Sequence, residues 1–365
     1  MDVFEKAKIL GKAGHYDSCG PKMCEVNVNE GLGGIYHAKA EHKTCKIFKT
    51  LMDNNCSFDC KYCANSNKCT KKKASYQPEE LAGLFNYLQK TLDVNGLFLS
   101  SAVAGNHDKV TEKMIDAVKL VRYKNHFKGY IHFKVLPGTS YDLIKQASEL
   151  SNRMSINIEA PNKEVLSELS SCKDYHHDLL KRQAWISKLD LNSGQTTQMI
   201  INNMATDKDV LKMSNWEYDT LNLKRVYYSA FHPVKGTPLE NAKPESLSRQ
   251  NHLYNVDFLL REYNFDLKEF DAIMQDEMLP KEDPKLALAK ANLEIVDINE
   301  ASYEELIRVP GIGPKTAKKI LNSKEKIMKY EHLDKLGVTV ERAKPFIEVN
   351  GKRQKRLSEF FFSTQ

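Results

Sequence analysis

The sequence predicts an α/β protein, an incomplete (βα)6 barrel followed by a separate helical domain at the C-terminus. Six short apolar or β-branched runs alternate with helix-length amphipathic segments over about 190 residues, the pattern of repeated βα units around a parallel sheet. Seven of the eight cysteines fall within the first 69 residues. The positive charge lies near the other end: between Lys315 and Arg356 there are 13 Lys/Arg against 5 Asp/Glu, in a chain whose net charge is +6.

Taken in order, the expected strands are residues 46–52 (KIFKTLM), 96–103 (GLFLSSAV), 129–136 (GYIHFKVL), 153–160 (RMSINIEA), 196–202 (TTQMIIN) and 224–231 (KRVYYSAF). Between them, residues 78–92, 111–124 and 140–150 carry apolar positions at helical spacing. The domain reading is an N-terminal Cys-containing extension (1–45), a barrel core (46–240), a helical linker region (241–290) and a C-terminal all-α domain with a basic tail (291–365). Chemistry in such a barrel belongs at the C-terminal ends of the strands, where the βα loops gather. The cysteine-rich loop follows the first strand, Ser100 and Ser101 end the second, and Asn157 and Glu159 end the fourth. Asn157 and Glu159, two apart in a strand, point to the same face.

Composition narrows the function classes. With 41% hydrophobic residues, 17 Gly and 12 Pro in 365 residues, the chain is neither disordered nor collagen-like. Charges interrupt the first apolar residues, so no signal-peptide core is read there, and no apolar run reaches bilayer length. A cytoplasmic location is therefore expected. Cysteines in that reducing compartment point to metal, catalysis or plain thiols rather than disulfides.

CSFDCKYC places Cys56, Cys60 and Cys63 in a CxxxCxxC spacing on a loop. Three thiolates this close can ligate three irons of a [4Fe-4S] cluster and leave the fourth iron without a protein ligand. The alternatives are a zinc site, its fourth ligand drawn from Cys69, His42 or His107, or ordinary thiols. Cys19, Cys24, Cys45 and Cys69 are weaker candidates, for an auxiliary cluster or as unligated thiols.

Residues 298–321 read as helix, tight turn, helix: ASYEELIRV has helical periodicity, PGIGP breaks it, and KTAKKIL restarts it. A Gly-rich turn opening a helix presents backbone N–H groups to an anion. Lys315, Thr316, Lys318 and Lys319 flank it, and HLDKLGVTVERAKPFI reads as a degenerate second hairpin, with Arg342 and Lys344 extending the basic surface.

The CxxxCxxC spacing, with the aromatic Tyr62 before its last Cys, resembles the signature of the radical S-adenosylmethionine (SAM) superfamily. The resemblance implies that the open iron chelates SAM, that the reduced cluster cleaves the sulfonium, and that a 5′-deoxyadenosyl radical abstracts hydrogen. Matched strand ends imply SAM contacts at Tyr62, Ser100, Ser101, Asn157 and Glu159, although the acidic glycine motif of the superfamily is absent. Cys172, Tyr227 and Tyr228 are the candidate hydrogen donors. The VPGIGP turn resembles a helix-hairpin-helix module, implying backbone contacts from Gly311, Gly313, Lys315, Thr316, Lys318 and Lys319. Together with YDSCG, GLFLSSAV, RMSINIE and LKRVYYSAFHPV, these motifs resemble the DNA modification/repair radical SAM protein family along almost its full length; CGPKMC departs from that pattern.

That resemblance implies a partial (β/α)6 radical SAM barrel fused to a C-terminal all-α helix-hairpin-helix domain. The function it implies is a SAM-cleaving enzyme that modifies or repairs DNA. The expected partners are DNA, a uracil-DNA-glycosylase-like protein and an electron donor such as flavodoxin or ferredoxin. Two other readings stand beside it: the same chemistry applied to RNA, and a non-enzymatic DNA-binding protein with a structural or redox-sensing cluster.

Overall fold

The structure, a computed structural model, describes residues 1–14, 34–40 and 43–354; Cys19, Cys24, His42 and the end of the basic tail lie outside them. Two compact units are present: one runs from the N-terminus to Ala205 and takes in Lys212–Gln250, the other comprises Thr206–Leu211 and the chain from Asn251 on.

The first unit opens with α1 (Val3–Ala13), started by the Asp2 carboxylate, which accepts the N–H groups of Phe4 and Glu5. A seven-stranded sheet follows in the order β1 to β7: β1 (Ile35–Ala40), β2 (Lys43–Leu51), β3 (Gly96–Ser100), β4 (Tyr130–Lys134), β5 (Arg153–Ser155), β6 (Gln195–Ile201) and β7 (Arg225–Ala230). Strands β2 to β7 are parallel, the six of the expected half-barrel. The connections carry α2 (Pro78–Leu92), α3 (His107–Lys119), α4 (Tyr141–Leu150), α5 (Lys163–Leu169), α6 (Lys181–Ile186) and α7 (Asp207–Leu221). β1 is added in front as an antiparallel partner of β2; after Ile35 and Tyr36 its sequence, IYHAKA, holds two alanines and a lysine, residues depleted in strands.

The expected fourth strand is shorter than its β-branched pattern suggests. β5 ends at Ser155, and backbone pairing with β6 resumes only at Glu159, whose N–H donates to Gln198 O and whose carbonyl accepts from Ile200 N–H; between them the Thr197 hydroxyl bridges Ile158 N–H and Ile156 O. Glu159 reaches that position at φ +64°, a left-handed turn of the backbone, so it and Asn157 do not alternate as strand residues.

Strand alternation gives the sheet two unlike faces. Leu97, Leu99, Ile131, Phe133, Met154, Met199, Val226 and Tyr228 are all but fully buried on one face, where Tyr228 donates to Ser214 of α7 at 2.9 Å. The other, concave face carries Lys49, Phe98, His132, Lys134, Arg153, Gln198 and Tyr227 among others, in register across the strands.

The second unit is helical as expected: the later turns of α8 (Leu247–Tyr263), α9 (Pro284–Asn292), α10 (Tyr303–Arg308), α11 (Pro314–Leu321), α12 (Tyr330–Leu336) and α13 (Val340–Ala343). The expectation of an all-α domain needs one correction. A small three-stranded sheet, ordered β10–β9–β8, is formed by β8 (Val296–Asp297), β9 (Ile347–Val349) and β10 (Lys352–Arg353). Val296, Ile347 and Val349 from that sheet join Leu306, Ile312, Ile320 and Leu333 from the helices and turns in one core.

Candidate functional site

The loop after β2 carries Cys56, Cys60 and Cys63, and its own hydrogen bonds close it. Tyr76 N–H donates to Met52 O at 3.0 Å. The buried Asn54 side chain bridges the neck, donating to Lys72 O at 3.0 Å and accepting from Ala74 N–H at 2.7 Å, and Lys73 Nζ reaches both Asn54 O and Asn65 O. Ser57 N–H donates to Val103 O at 2.8 Å, tying the loop to the turn after β3, and Lys61 N–H to Leu169 O at 2.9 Å, tying it to the end of α5.

Asp59 then organises the next turn. Its carboxylate accepts from the Ser170 hydroxyl at 2.7 Å and the Ser171 hydroxyl at 2.5 Å. Burial pushes that carboxyl up, but the bonds from Ser171 and Ser170 outweigh it and hold the pKa well below the usual range. The clamp brings Lys173 to the thiols. The Lys173 side chain, 7% exposed, lies 3.2 Å from the Glu159 carboxylate and 3.3 Å from the Tyr62 hydroxyl. Burial alone pulls an ammonium pKa down; Cys60, Glu159 and Cys63 more than reverse this, so Lys173 stays charged.

Among the described residues no three His, Cys, Asp or Glu side chains converge as a single-ion site; in a cluster each thiolate holds a different iron. Asn65 N–H points at Cys63 Sγ at 3.4 Å, and the buried Lys173 cation offsets the negative charge that thiolates bring. Burial pushes the Cys63 thiol up to about 12 and raises Cys56 as well. These are therefore not pre-ionised nucleophiles; they lose protons when metal takes them.

The other sequence candidates are dispersed. Ser100 is buried at the end of β3. Ser101 Oγ is bonded to backbone, accepting from Asp53 N–H and donating to Ala102 O. Asn157 is half-buried. Cys172 is exposed two residues past Ser170. Tyr227 lies on the concave face. Tyr228 does not: alternation turns it to the opposite face, with no exposed surface and its hydroxyl on Ser214, which removes it from the hydrogen-donor candidates. Cys45 is bonded to Asn95 and Cys69 to Gly236 O, two separate settings.

The C-terminal hairpin is built around its two glycines. Gly311 has φ +90°, and a Cβ there would stand 2.5 Å from Thr339 O; its own carbonyl accepts from Thr339 N–H at 3.0 Å. The second hairpin, α12–Gly337–α13, thus packs turn against turn on the first, and the Thr316 hydroxyl reaches Gly337 O at 3.4 Å. A Cβ at Gly313 would stand 3.0 Å from the Tyr263 hydroxyl. Lys285 Nζ donates to Ile312 O at 2.6 Å over the Tyr263 ring, and burial pulls its ammonium down to about 7.

Gly313 is the N-cap of α11 and Pro314 its first residue, with no side chain capping the N–H groups. An anion fits that end. Lys315, Lys318 and Lys319 are exposed at i, i+3 and i+4, on one face of the helix; Lys318 and Lys319 lie in its last turn. Arg342 and Lys344 add less to the basic surface than expected, since each is paired with a carboxylate, Asp283 and Glu341.

Sequence reasoning missed Asn54, Asp59, Lys173, Tyr263 and Lys285. Each acts on a residue distant in the chain, so no local spacing signals it.

Residues 51–216 match the family described as the radical SAM superfamily, and residues 291–345 match the helix-hairpin-helix motif. The chain carries a radical SAM domain and a helix-hairpin-helix motif. The cofactors of that domain are a [4Fe-4S] cluster and S-adenosylmethionine. No curated protein matches the chain.

Among solved structures, the FeFe-hydrogenase maturase HydG from Carboxydothermus hydrogenoformans is 11% identical at a TM-score of 0.49, over 59% of this chain and 51% of that one. Methylornithine synthase is 11% identical at 0.48, over 72% and 67%. Coproporphyrinogen III oxidase from Escherichia coli is 16% identical at 0.37, over 59% and 52%. The chain thus spans about half to two thirds of the length of these structures. Among the described residues no helix is long and apolar enough to cross a membrane.

Proposed function

We propose that this chain is a radical SAM enzyme whose substrate is DNA. One observation carries the reading: a stitched three-cysteine loop beside a buried Lys173–Glu159 pair occurs in the same chain as a helix-hairpin-helix whose turn is preformed for a phosphate. Cys56, Cys60 and Cys63 hold the cluster. Tyr62, Ser100, Ser101, Asn157 and Glu159 contact SAM, with Lys173 fixing Tyr62 and Glu159. When bound, the two cofactors supply a one-electron cleavage and a carbon-centred radical that removes hydrogen from the substrate.

Gly311, Gly313, Lys315, Thr316, Lys318 and Lys319 hold the DNA backbone without reading bases, because such contacts go to phosphate. A base or sugar within a duplex is out of reach of a radical formed in a barrel. The nucleotide acted upon is therefore single-stranded, damaged or flipped out. Lesion repair and base or sugar modification both fit; repair of a crosslink draws on a hydrogen donor such as Cys172 or Tyr227. An electron donor of the flavodoxin or ferredoxin type and a uracil-DNA-glycosylase-like protein are the proposed protein partners, in the cytoplasm.

The test is anaerobic. Cluster-reconstituted chain is reduced with dithionite and given SAM, and 5′-deoxyadenosine is assayed in the wild type and in a Cys56→Ala/Cys60→Ala/Cys63→Ala variant, with matched DNA and RNA. Product from the wild type alone, raised by DNA, is the expected result. An intact, reducible cluster that yields none under any condition would replace this reading with a DNA-binding protein carrying a structural cluster. A clear preference for RNA would move the substrate to that polymer.

A further inference from the structure

A half-buried cation stands behind the first hairpin turn. Lys285, in the first turn of α9, donates from Nζ to Ile312 O at 2.6 Å, with the ammonium 4.7 Å from the centre of the Tyr263 ring. Among the described residues it makes no ion pair: Asp283, the N-cap of α9, is paired with Arg342 of α13 at 3.1 Å. The Tyr263 ring is held edge-on to Phe258 at 5.6 Å, and its hydroxyl lies 3.0 Å from where a Cβ on Gly313 would stand.

The lysine acts through one peptide unit. A planar trans amide sets its C=O and its N–H on opposite sides, and the peptide that begins at the Ile312 carbonyl ends at the Gly313 N–H. Holding the carbonyl toward Lys285 therefore turns the Gly313 N–H away from it. Among the described residues that N–H has no partner, while Ile312 N–H donates to Val309 O at 3.1 Å and Gly313 O accepts from Ala317 N–H at 2.8 Å. The free N–H thus joins the uncapped first turn of α11.

A neutral donor would satisfy the Ile312 carbonyl as well. A lysine adds a charge, and enclosing it is unfavourable: burial pulls the ammonium down to about 7, Asp283 opposes this and Arg342 adds to it. The other ionisable groups on this side are the phenol of Tyr263 from α8, which burial raises, and that of Tyr303 from α10 beside it. An anion on the far side of the peptide favours the charged form and offsets the cost of enclosing it.

We propose that Lys285 is a positioning residue for a DNA phosphate: through the Ile312 carbonyl it aims the Gly313 N–H at the anion, and its own charge faces that anion across the peptide. This deepens the function proposed above and rests on its claim that the hairpin holds DNA. A bound phosphate raises the ammonium above its free value of about 7, so the contribution to affinity is full below that value and is lost as pH rises through the value in the complex.

The experiment follows the fluorescence anisotropy of a labelled DNA duplex with cluster-reconstituted full chain, at constant salt and from about pH 6 to about pH 8.5. The proteins are wild type, Lys285→Arg and Lys285→Met, with a melting curve for each in the same buffers. Wild type should bind about fivefold more weakly at the upper pH than at the lower. Lys285→Arg should bind within about twofold of wild type at the lower pH and lose most of that decline, because a guanidinium stays charged. Lys285→Met should bind about tenfold more weakly than wild type at the lower pH. Histidines titrate in the same range, so the difference between the wild-type and Arg profiles, rather than either slope, belongs to Lys285.

Parallel wild-type and Arg profiles overturn the positioning role while leaving the DNA reading in place, and they decide the matter even where Lys285→Met fails to fold. A folded Lys285→Met that binds like wild type overturns it as well. A wild type that binds no duplex at any pH defeats the DNA reading itself, and the role of Lys285 with it.

Discussion

Lys173 is the residue that most changes how the cysteine loop is understood. Its ammonium is enclosed with Tyr62, Glu159 and two of the three thiols, so it is a fixed positive charge beside the site proposed for the cluster. A nearby cation favours the reduced, more negative state. Lys173→Met should therefore lower the cluster midpoint potential by roughly 50 mV, the size expected of one partly screened charge at this range, as read by EPR-monitored redox titration. An unchanged potential would show that Lys173 only packs. The cysteines themselves were legible because a CxxxCxxC spacing is local. Lys173 was not, because Asp59 and its hydrogen bonds to Ser170 and Ser171 bring it there from another βα loop. Glu159 was picked out on strand alternation, yet it stands in a left-handed turn, so the local geometry inferred from the pattern does not hold.

Two elements carry consequences of their own. The first hairpin turn is possible only with glycine at 311, since a side chain there would pay about 1–2 kcal/mol for positive φ and collide with Thr339 O. Gly311→Val should lower the melting temperature of the second unit and weaken DNA binding about tenfold, equally for unrelated sequences because the contact is to phosphate. Sequence-selective loss would contradict the assignment. The turn was legible in PGIGP, and its support Thr339 falls in the second hairpin read from HLDKLGVTVERAKPFI, but Tyr263 and Lys285 come from segments without a motif.

The second element is α7, where Glu217 is fully buried and accepts from Gln183 Nε2 at 2.7 Å. Burial raises its pKa to about 8, and Glu217 Oε2 and Gln183 Oε1 are both buried without a partner; a proton on the carboxyl supplies the missing donor. The folded state thus holds this proton more tightly than the unfolded chain, so stability is full below the unfolded value near 4.5 and declines as pH rises through about 8. Glu217→Gln should flatten that decline and melt about 2–4 °C above wild type at pH 9. A variant that melts with the same pH profile would rule out the titration.

At the scale of the whole chain, the order of parallel strands was readable because apolar or β-branched runs of seven or eight residues separated by helical segments leave few other folds. The antiparallel β1 and the small C-terminal sheet were hidden because IYHAKA is largely made of residues depleted in strands and because Val296–Asp297 and Lys352–Arg353 are two residues each. The charge asymmetry was visible as a tail property, whereas the row of Lys49, Phe98, His132 and Arg153 on the concave face was not, since only the register gathers its members.

The central claim, that radical chemistry in the barrel is applied to DNA, is tested most directly by following the hydrogen. Reduced, cluster-loaded chain is incubated with SAM and DNA deuterated at its carbon positions, and the 5′-deoxyadenosine is weighed by mass spectrometry. Deuterium from the DNA in that product, lost when Cys56, Cys60 and Cys63 are replaced by Ala, is the predicted result. Product that carries no deuterium and forms at the same rate without DNA would contradict it.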